Sequence, residues 1–144
     1  EDGSVKCWGY NDSARLGDGT GTDRRDGTPV DVVGLVGKAV AVAGGKGAHT
    51  CVLMEDGSIK CWGYNINGQL GDDTKSVRAT PVDVVGLGGK AVAVAVGGDS
   101  TCALMVKGVR TEDGSLKCWG GNDAGQLGDG TNDNSNTPVL VLDW

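Results

Sequence analysis

Three copies of one segment make up most of this chain. EDGSVKCWGYN begins at Glu1, EDGSIKCWGYN at Glu55 and EDGSLKCWGGN at Glu112, so the copies start 54 and 57 residues apart. Each runs into a loop: NDSARLG from Asn11 to Gly17, NINGQLG from Asn65 to Gly71, and NDAGQLG from Asn122 to Gly128. A turn at Gly-Asp follows, and then Thr-Pro-Val at Thr28, Thr80 and Thr137. The first two copies continue through VDVVGL into alternating stretches at Lys38 to Ala43 and Lys90 to Ala95. A repeat of this length marks units that gain their stability from packing on their neighbours. Residues 1–144 therefore read as a single repeat region, divided at about 1–54, 55–111 and 112–144 with the last copy truncated.

The composition indicates which secondary structure fills the repeat. Gly occupies 27 of 144 positions, against a usual share of about 7%, which calls for many tight turns. Phe is absent, and Val, Thr, Ala and Leu lie in short segments between Gly, Asp and Pro. That pattern predicts an all-β chain with almost no helix. The net charge of −6 repels phosphate backbones, and apart from the pair Arg24-Arg25 the basic residues are scattered, so no nucleic-acid partner is expected. No apolar run approaches the roughly eighteen residues needed to span a bilayer. The sequence opens directly on a strand-like segment, which places any export signal outside it. Five cysteines without a CxxC spacing and a single His argue against zinc and for disulfides.

The succession HTCxL, DGxxxCWGxN, GQLGDGT, TPV and an Ala/Val strand ending in Gly-Gly resembles the regulator of chromosome condensation repeat across essentially the whole chain. The resemblance implies that each repeat is a four-stranded blade of a β-propeller, usually one of seven blades. With fewer than three blades the propeller is incomplete and needs more chain or further subunits. The Cys-containing version is similar to repeats in secreted and surface proteins of bacteria. The family's founding member promotes guanine-nucleotide exchange on a small GTPase and binds nucleosomes. Fold alone does not carry such an activity over.

The residues around the cysteines lead to the same architecture independently. VLMEDGSIK separates Cys51 from Cys61. A three-residue turn at Glu55-Asp56-Gly57, with Gly57 in the left-handed region, sets Met54 opposite Ser58 and Leu53 opposite Ile59. Two further steps bring Cys51 opposite Cys61, and Trp62 to the other face. Cys102 and Cys118 are separated by six additional residues, Val106 to Thr111. Six is even, so these sulfurs also face each other. Two disulfides are expected, Cys51 to Cys61 and Cys102 to Cys118. Cys7 has the CWG context but no upstream cysteine strand, so it is expected to be unpaired or joined to an external partner. The chain then reads as an excerpt of a longer array or as a protomer completed by others, with an open strand edge at Val5 to Tyr10.

Other candidates are weighed against plainer roles. Trp8, Trp62 and Trp119 recur at one point of each copy and are expected to fill the space between blades. Trp144 departs from the pattern and either anchors a neighbouring subunit or closes the core. His49 corresponds to Ser100 in the next copy, and no complete nucleophile-activating set accompanies it, which leaves a local hydrogen-bonding role. Asp129, Thr131 and Asp133 offer oxygens of the kind calcium takes, although Asp in turns ordinarily bonds its own backbone. Asn11-Asp12-Ser13 is a glycosylation sequon in an expected surface loop.

These readings converge on a non-catalytic extracellular or cell-surface scaffold for protein interaction or structural assembly. Its expected partner is another protein or a copy of itself, with no cofactor and no membrane span. Two alternatives stand beside it: a subunit of a self-assembling extracellular fibre, and a small-GTPase regulator of the guanine-nucleotide exchange type. The acidic balance and the paired cysteines count against the regulator, because reducing compartments keep thiols free. A propeller hydrolase would need converging acid, base or metal groups, whereas the Asp residues here are dispersed.

Overall fold

A computed structural model describes residues 2–106 and 114–143. Its elements are all β: β1 (Lys6–Cys7), β2 (Val30–Asp31), β3 (Ala39–Gly44), β4 (His49–Met54), β5 (Ile59–Gly63), β6 (Arg78–Asp83), β7 (Ala91–Val96), β8 (Ser100–Met105), β9 (Leu116–Gly120) and β10 (Ser135–Leu140). Among the described residues there is no helix. They form three antiparallel sheets, a pair β1-β2 and two four-stranded sheets ordered β3-β4-β5-β6 and β7-β8-β9-β10. The four-stranded blade thus straddles the sequence repeat: β3 and β4 close one copy, and β5 and β6 open the next.

Local chemistry accounts for the hairpins. Gly57 adopts φ +85°, and Met54 N donates to Ser58 O at 2.9 Å across the turn. Asp56 Oδ1 accepts from Ser58 N and Ser58 Oγ, which fixes the tip. A three-residue tip then imposes the register Leu53↔Ile59, Val52↔Lys60 and Cys51↔Cys61. In the third sheet Leu104↔Leu116 and Cys102↔Cys118 follow the same order. Of the longer tip from Val106 to Thr111, only Val106 lies within the described residues. Trp144 also lies outside them.

The strands alternate in what they bury. Cys51, Leu53, Ile59 and Cys61 share one cluster with Ala103, Met105 and Trp119 of the third sheet. Val52, Met54 and Trp62 point the opposite way, toward Val32, Val5 and Leu35. Period-2 alternation therefore gives the middle sheet two apolar faces, one for each neighbour. Contacts between the four-stranded sheets run through β3, β4 and β7, so the sheets converge on their Ala/Val strands, as blades do around an axis. Hairpin tips are tied to the following sheet by Ala39 N to Gly3 O at 3.2 Å and Ala91 N to Gly57 O at 2.8 Å.

Candidate interaction surface

Where one sheet meets the next, a single arrangement occurs twice. The carbonyl of Arg15, in the loop after β1, accepts from Trp62 Nε1 at 2.8 Å and from Thr50 Oγ1 at 2.9 Å. The carbonyl of Gln69, in the loop after β5, accepts from Trp119 Nε1 at 3.0 Å and from Thr101 Oγ1 at 2.8 Å. Glycine makes room for each indole. A Cβ at Gly17 or Gly71 would lie 2.7 Å from the Nε1 of Trp62 or Trp119, inside van der Waals contact. Each sheet is thus locked to its predecessor by one carbonyl that satisfies two otherwise buried donors.

Trp62 and Trp119 are fully buried in this way, but Trp8 is not. It is 60% exposed, and the sheet that carries it is the first one described. The cause is that no described loop supplies Trp8 with the carbonyl and glycine that hold the other two. Around it lies a groove lined by Cys7, Leu16, Val42 and Thr50. β1 is paired only with β2, leaving its other edge without a strand among the described residues. Cys7 is half-buried and carries a free thiol in the structure, and burial pushes that thiol up from its ordinary range. The Cys51 and Cys61 sulfurs lie at bonding distance, as do those of Cys102 and Cys118, and each pair has its Cα atoms 4.1 Å apart.

The loops carry a second device that sequence reasoning missed. Asn11, Asn65 and Asn122 are completely buried, and each side chain organises its own loop. Their Oδ1 atoms accept from Leu16 N, Leu70 N and Leu127 N, each at 2.9 Å. Their Nδ2 groups donate to two backbone carbonyls and an Asp carboxylate, in the second copy Thr74 O, Ser76 O and Asp72 Oδ1. In the sequon at Asn11 the Nδ2, the atom a glycan would occupy, is out of solvent and donates to Thr20 O and Thr22 O. The available signal was the same Asn at the same place in all three loops.

The oxygens of the calcium candidate are engaged in a related way. Asp129 Oδ1 accepts from Thr131 N at 3.0 Å and Thr131 Oγ1 at 2.8 Å, and Asn122 Nδ2 reaches it at 3.3 Å. Thr131 O and Asp133 O both accept from Asn122. Oxygens surrounded by N–H and O–H donors are arranged for protons, not for a cation. The bonds to Thr131 hold the Asp129 carboxyl below its ordinary range. For Asp72, burial raises the carboxyl, but Thr74, Arg78 and Asn65 outweigh it and the net direction is down. Among the described residues no cluster of His, Cys, Asp and Glu could hold a metal.

His49 is buried in the seam between β4 and β8, with Nε2 2.8 Å from Thr101 Oγ1. Thr101 spends its only hydroxyl proton on Gln69 O, so His49 Nε2 is the donor and Nδ1 is unprotonated. Nδ1 finds no partner among the described residues. Burial lowers the imidazole from 6.5 to about 4. His49 thus extends the interblade lock.

Comparison with known proteins places this arrangement. The pattern described as Regulator of chromosome condensation (RCC1) repeat matches residues 2–53, 56–104 and 113–143. The chain is similar to the E3 ubiquitin-protein ligase HERC2 of Homo sapiens, 33% identical over 98% of this chain and 3% of that protein. It is 31% identical to the ultraviolet-B receptor UVR8 of Arabidopsis thaliana over 95% of this chain and 30% of that one. Among solved structures, human WBSCR16 superposes with a TM-score of 0.82 at 23% identity, covering 98% of this chain and 35% of that one. The chain therefore spans about a third or less of the length of these proteins.

Proposed function

This chain belongs to the Regulator of chromosome condensation (RCC1) repeat family, and on that premise we propose that it is a non-catalytic scaffold for protein interaction in an oxidising setting, extracellular or on the cell surface. One observation carries the setting: in both complete sheets the cysteines of neighbouring strands face each other with their sulfurs at bonding distance. A protein kept in a reducing compartment gains nothing from such a register. The scaffold reading is supported by what the polar groups do. The buried Asn, Thr and Trp donors, and the carboxylates of the Asp-x-Thr turns, are engaged in holding loops and sheets together. Trp8 and Tyr10 keep exposed aromatic surface for a partner to cover.

Surface labelling of intact source cells with a membrane-impermeant amine reagent tests this. The expected result is modification at the exposed lysines Lys6 and Lys38 without lysis. Labelling that requires lysis overturns the extracellular setting. Nucleotide-release kinetics on small GTPases test the scaffold separately, since stimulation by the isolated chain would move it to the regulators.

A further inference from the structure

The two seams between sheets differ on one face of the array. At the first, an open cleft of about 410 Å³ lies among Asp12 and Arg15 of the loop after β1, Lys46 and Gly47 at the β3–β4 tip, Tyr64 after β5 and Asp99 at the β7–β8 tip. The residues on every side of it are described, so its opening does not arise at either end of the chain. The same place at the second seam is closed. Gln69, which corresponds to Arg15, is completely buried, and its amide accepts from Asn67 N at 2.9 Å and donates to Asp99 Oδ1 at 3.4 Å. Gly121 stands where the first seam has Tyr64, and a Cβ there would lie 3.1 Å from that of Asp99. The tips differ as well. Ala43 faces Cys51 and Ala95 faces Cys102 in their sheets, yet seven residues, Gly44 to Thr50, join the first pair and six, Val96 to Thr101, the second. The longer tip carries Lys46 and leans on the next at Gly47, where a Cβ would be 2.5 Å from the carbonyl oxygens of Gly97 and Gly98. Packing of one repeat on the next therefore does not require this cleft; residues that depart from the repeat make it.

Two carboxylates, Asp12 and Asp99, and two cations, Arg15 and Lys46, line the cleft. Their charges cancel, so no net field favours an ion there. Arg15 is held by Asp12 at 2.8 Å and by the Tyr10 ring, whose centroid is 5.2 Å from the guanidinium carbon, which fixes the direction of its remaining N–H groups. Donors and acceptors thus stand together around one aromatic ring, the half-buried Tyr64. No lining residue belongs to a strand, which leaves no edge for an extended peptide. Ala48 and Tyr64 are the only lining side chains with apolar surface to offer an anchor. A neutral saccharide matches this set, with hydroxyls that both donate and accept and a C–H face to lie on an aromatic ring. We propose that the cleft binds a neutral saccharide, with one sugar face on Tyr64 and its hydroxyls bonded to Asp12, Arg15, Lys46 and Asp99. Its volume of about 410 Å³ falls within the range of about 300–1,000 Å³ found for small-ligand clefts. The inference goes beyond the protein-scaffold reading and is measured on purified chain, so its failure leaves the labelling test of the cell-surface setting untouched.

Amide NMR of the oxidised chain tests it, with maltose, cellobiose, lactose and diacetylchitobiose as neutral probes and a heparin disaccharide as the anionic comparator. At least one neutral probe, titrated to about 10 mM, is expected to move the Gly47, Tyr64 and Gly98 signals saturably with a Kd on the order of 1 mM. The heparin disaccharide is expected to bind more weakly than that probe. Tyr64→Ala removes the ring and is expected to weaken binding about tenfold. Lys46→Ala removes one donor from an exposed site, where folding is not at stake, and is expected to weaken it about threefold. Unchanged signals away from the cleft show that each variant is folded, and if Tyr64→Ala fails to fold, Lys46→Ala decides. The proposal is overturned if no neutral probe moves the cleft signals, if the heparin disaccharide binds more tightly than every neutral probe, or if a folded Tyr64→Ala, or Lys46→Ala, binds as well as the wild type.

Discussion

The indole Nε1 of Trp119 donates to the backbone carbonyl of Gln69 across the seam between the two complete sheets, at 3.0 Å. That ring is fully buried and packs in the apolar cluster between the two sheets. Trp119→Ala is expected to cost about 3–5 kcal/mol of stability, through lost burial and the cavity left behind. Trp8→Ala removes the same side chain from an exposed site and is expected to change stability by about 0.5 kcal/mol or less. Urea denaturation of the two variants beside the wild type checks both. Equal losses would show that Trp8 is packed.

The asparagine staples predict a sharper local effect. Asn65 is buried with both ends of its amide bonded, so Asn65→Ala leaves Leu70 N and two carbonyls without partners. Each unsatisfied group costs about 1–3 kcal/mol. Asn65→Asp keeps the acceptor for Leu70 N and loses the donors. Hydrogen exchange should show protection lost across Asn65 to Gly71 in the Ala variant, with the Leu70 amide more protected in the Asp variant. By the same logic, Asn11 is expected to be unglycosylated in folded material, and glycopeptide mapping reads this directly.

Much of this architecture was legible in the sequence, and the reason is distance along the chain. The register of β4 on β5 depends on nine residues between Cys51 and Cys61 and on a glycine at the tip, all local information. Whether Trp8 is buried is not legible locally, because it is decided by a partner loop that no residue near it encodes. The burial of the Asn side chains is hard to see locally, because Asn in a loop ordinarily faces water. Only the three-fold recurrence of Asn11, Asn65 and Asn122 separates a structural amide from a surface one.

His49 makes stability depend on pH. Its imidazole titrates near 4 in the folded chain because of burial, and near 6.5 when unfolded. Between those values the unfolded chain binds more protons, so stability falls as pH drops through this window and levels off below the folded value. The loss amounts to about 3 kcal/mol. His49→Gln is expected to remove that dependence between pH 6.5 and 4 while leaving the carboxylate contributions, which act lower. Denaturation midpoints of both proteins across this range check it, and parallel curves would contradict the assignment.

Calcium is expected to have no effect on the Asp129 loop. Its acceptors already face Thr131 and Asn122 donors, so thermal midpoints with calcium and with chelator should coincide. Asp129→Ala should lower the midpoint equally in both. A calcium-dependent rise lost in this variant would reverse the conclusion.

The oxidising setting proposed for this repeat array is tested most directly by peptide mapping of native material under non-reducing conditions. The account predicts Cys51 linked to Cys61 and Cys102 linked to Cys118, with Cys7 outside both pairs. Five free thiols in native material would contradict it and favour the alternative of a small-GTPase regulator.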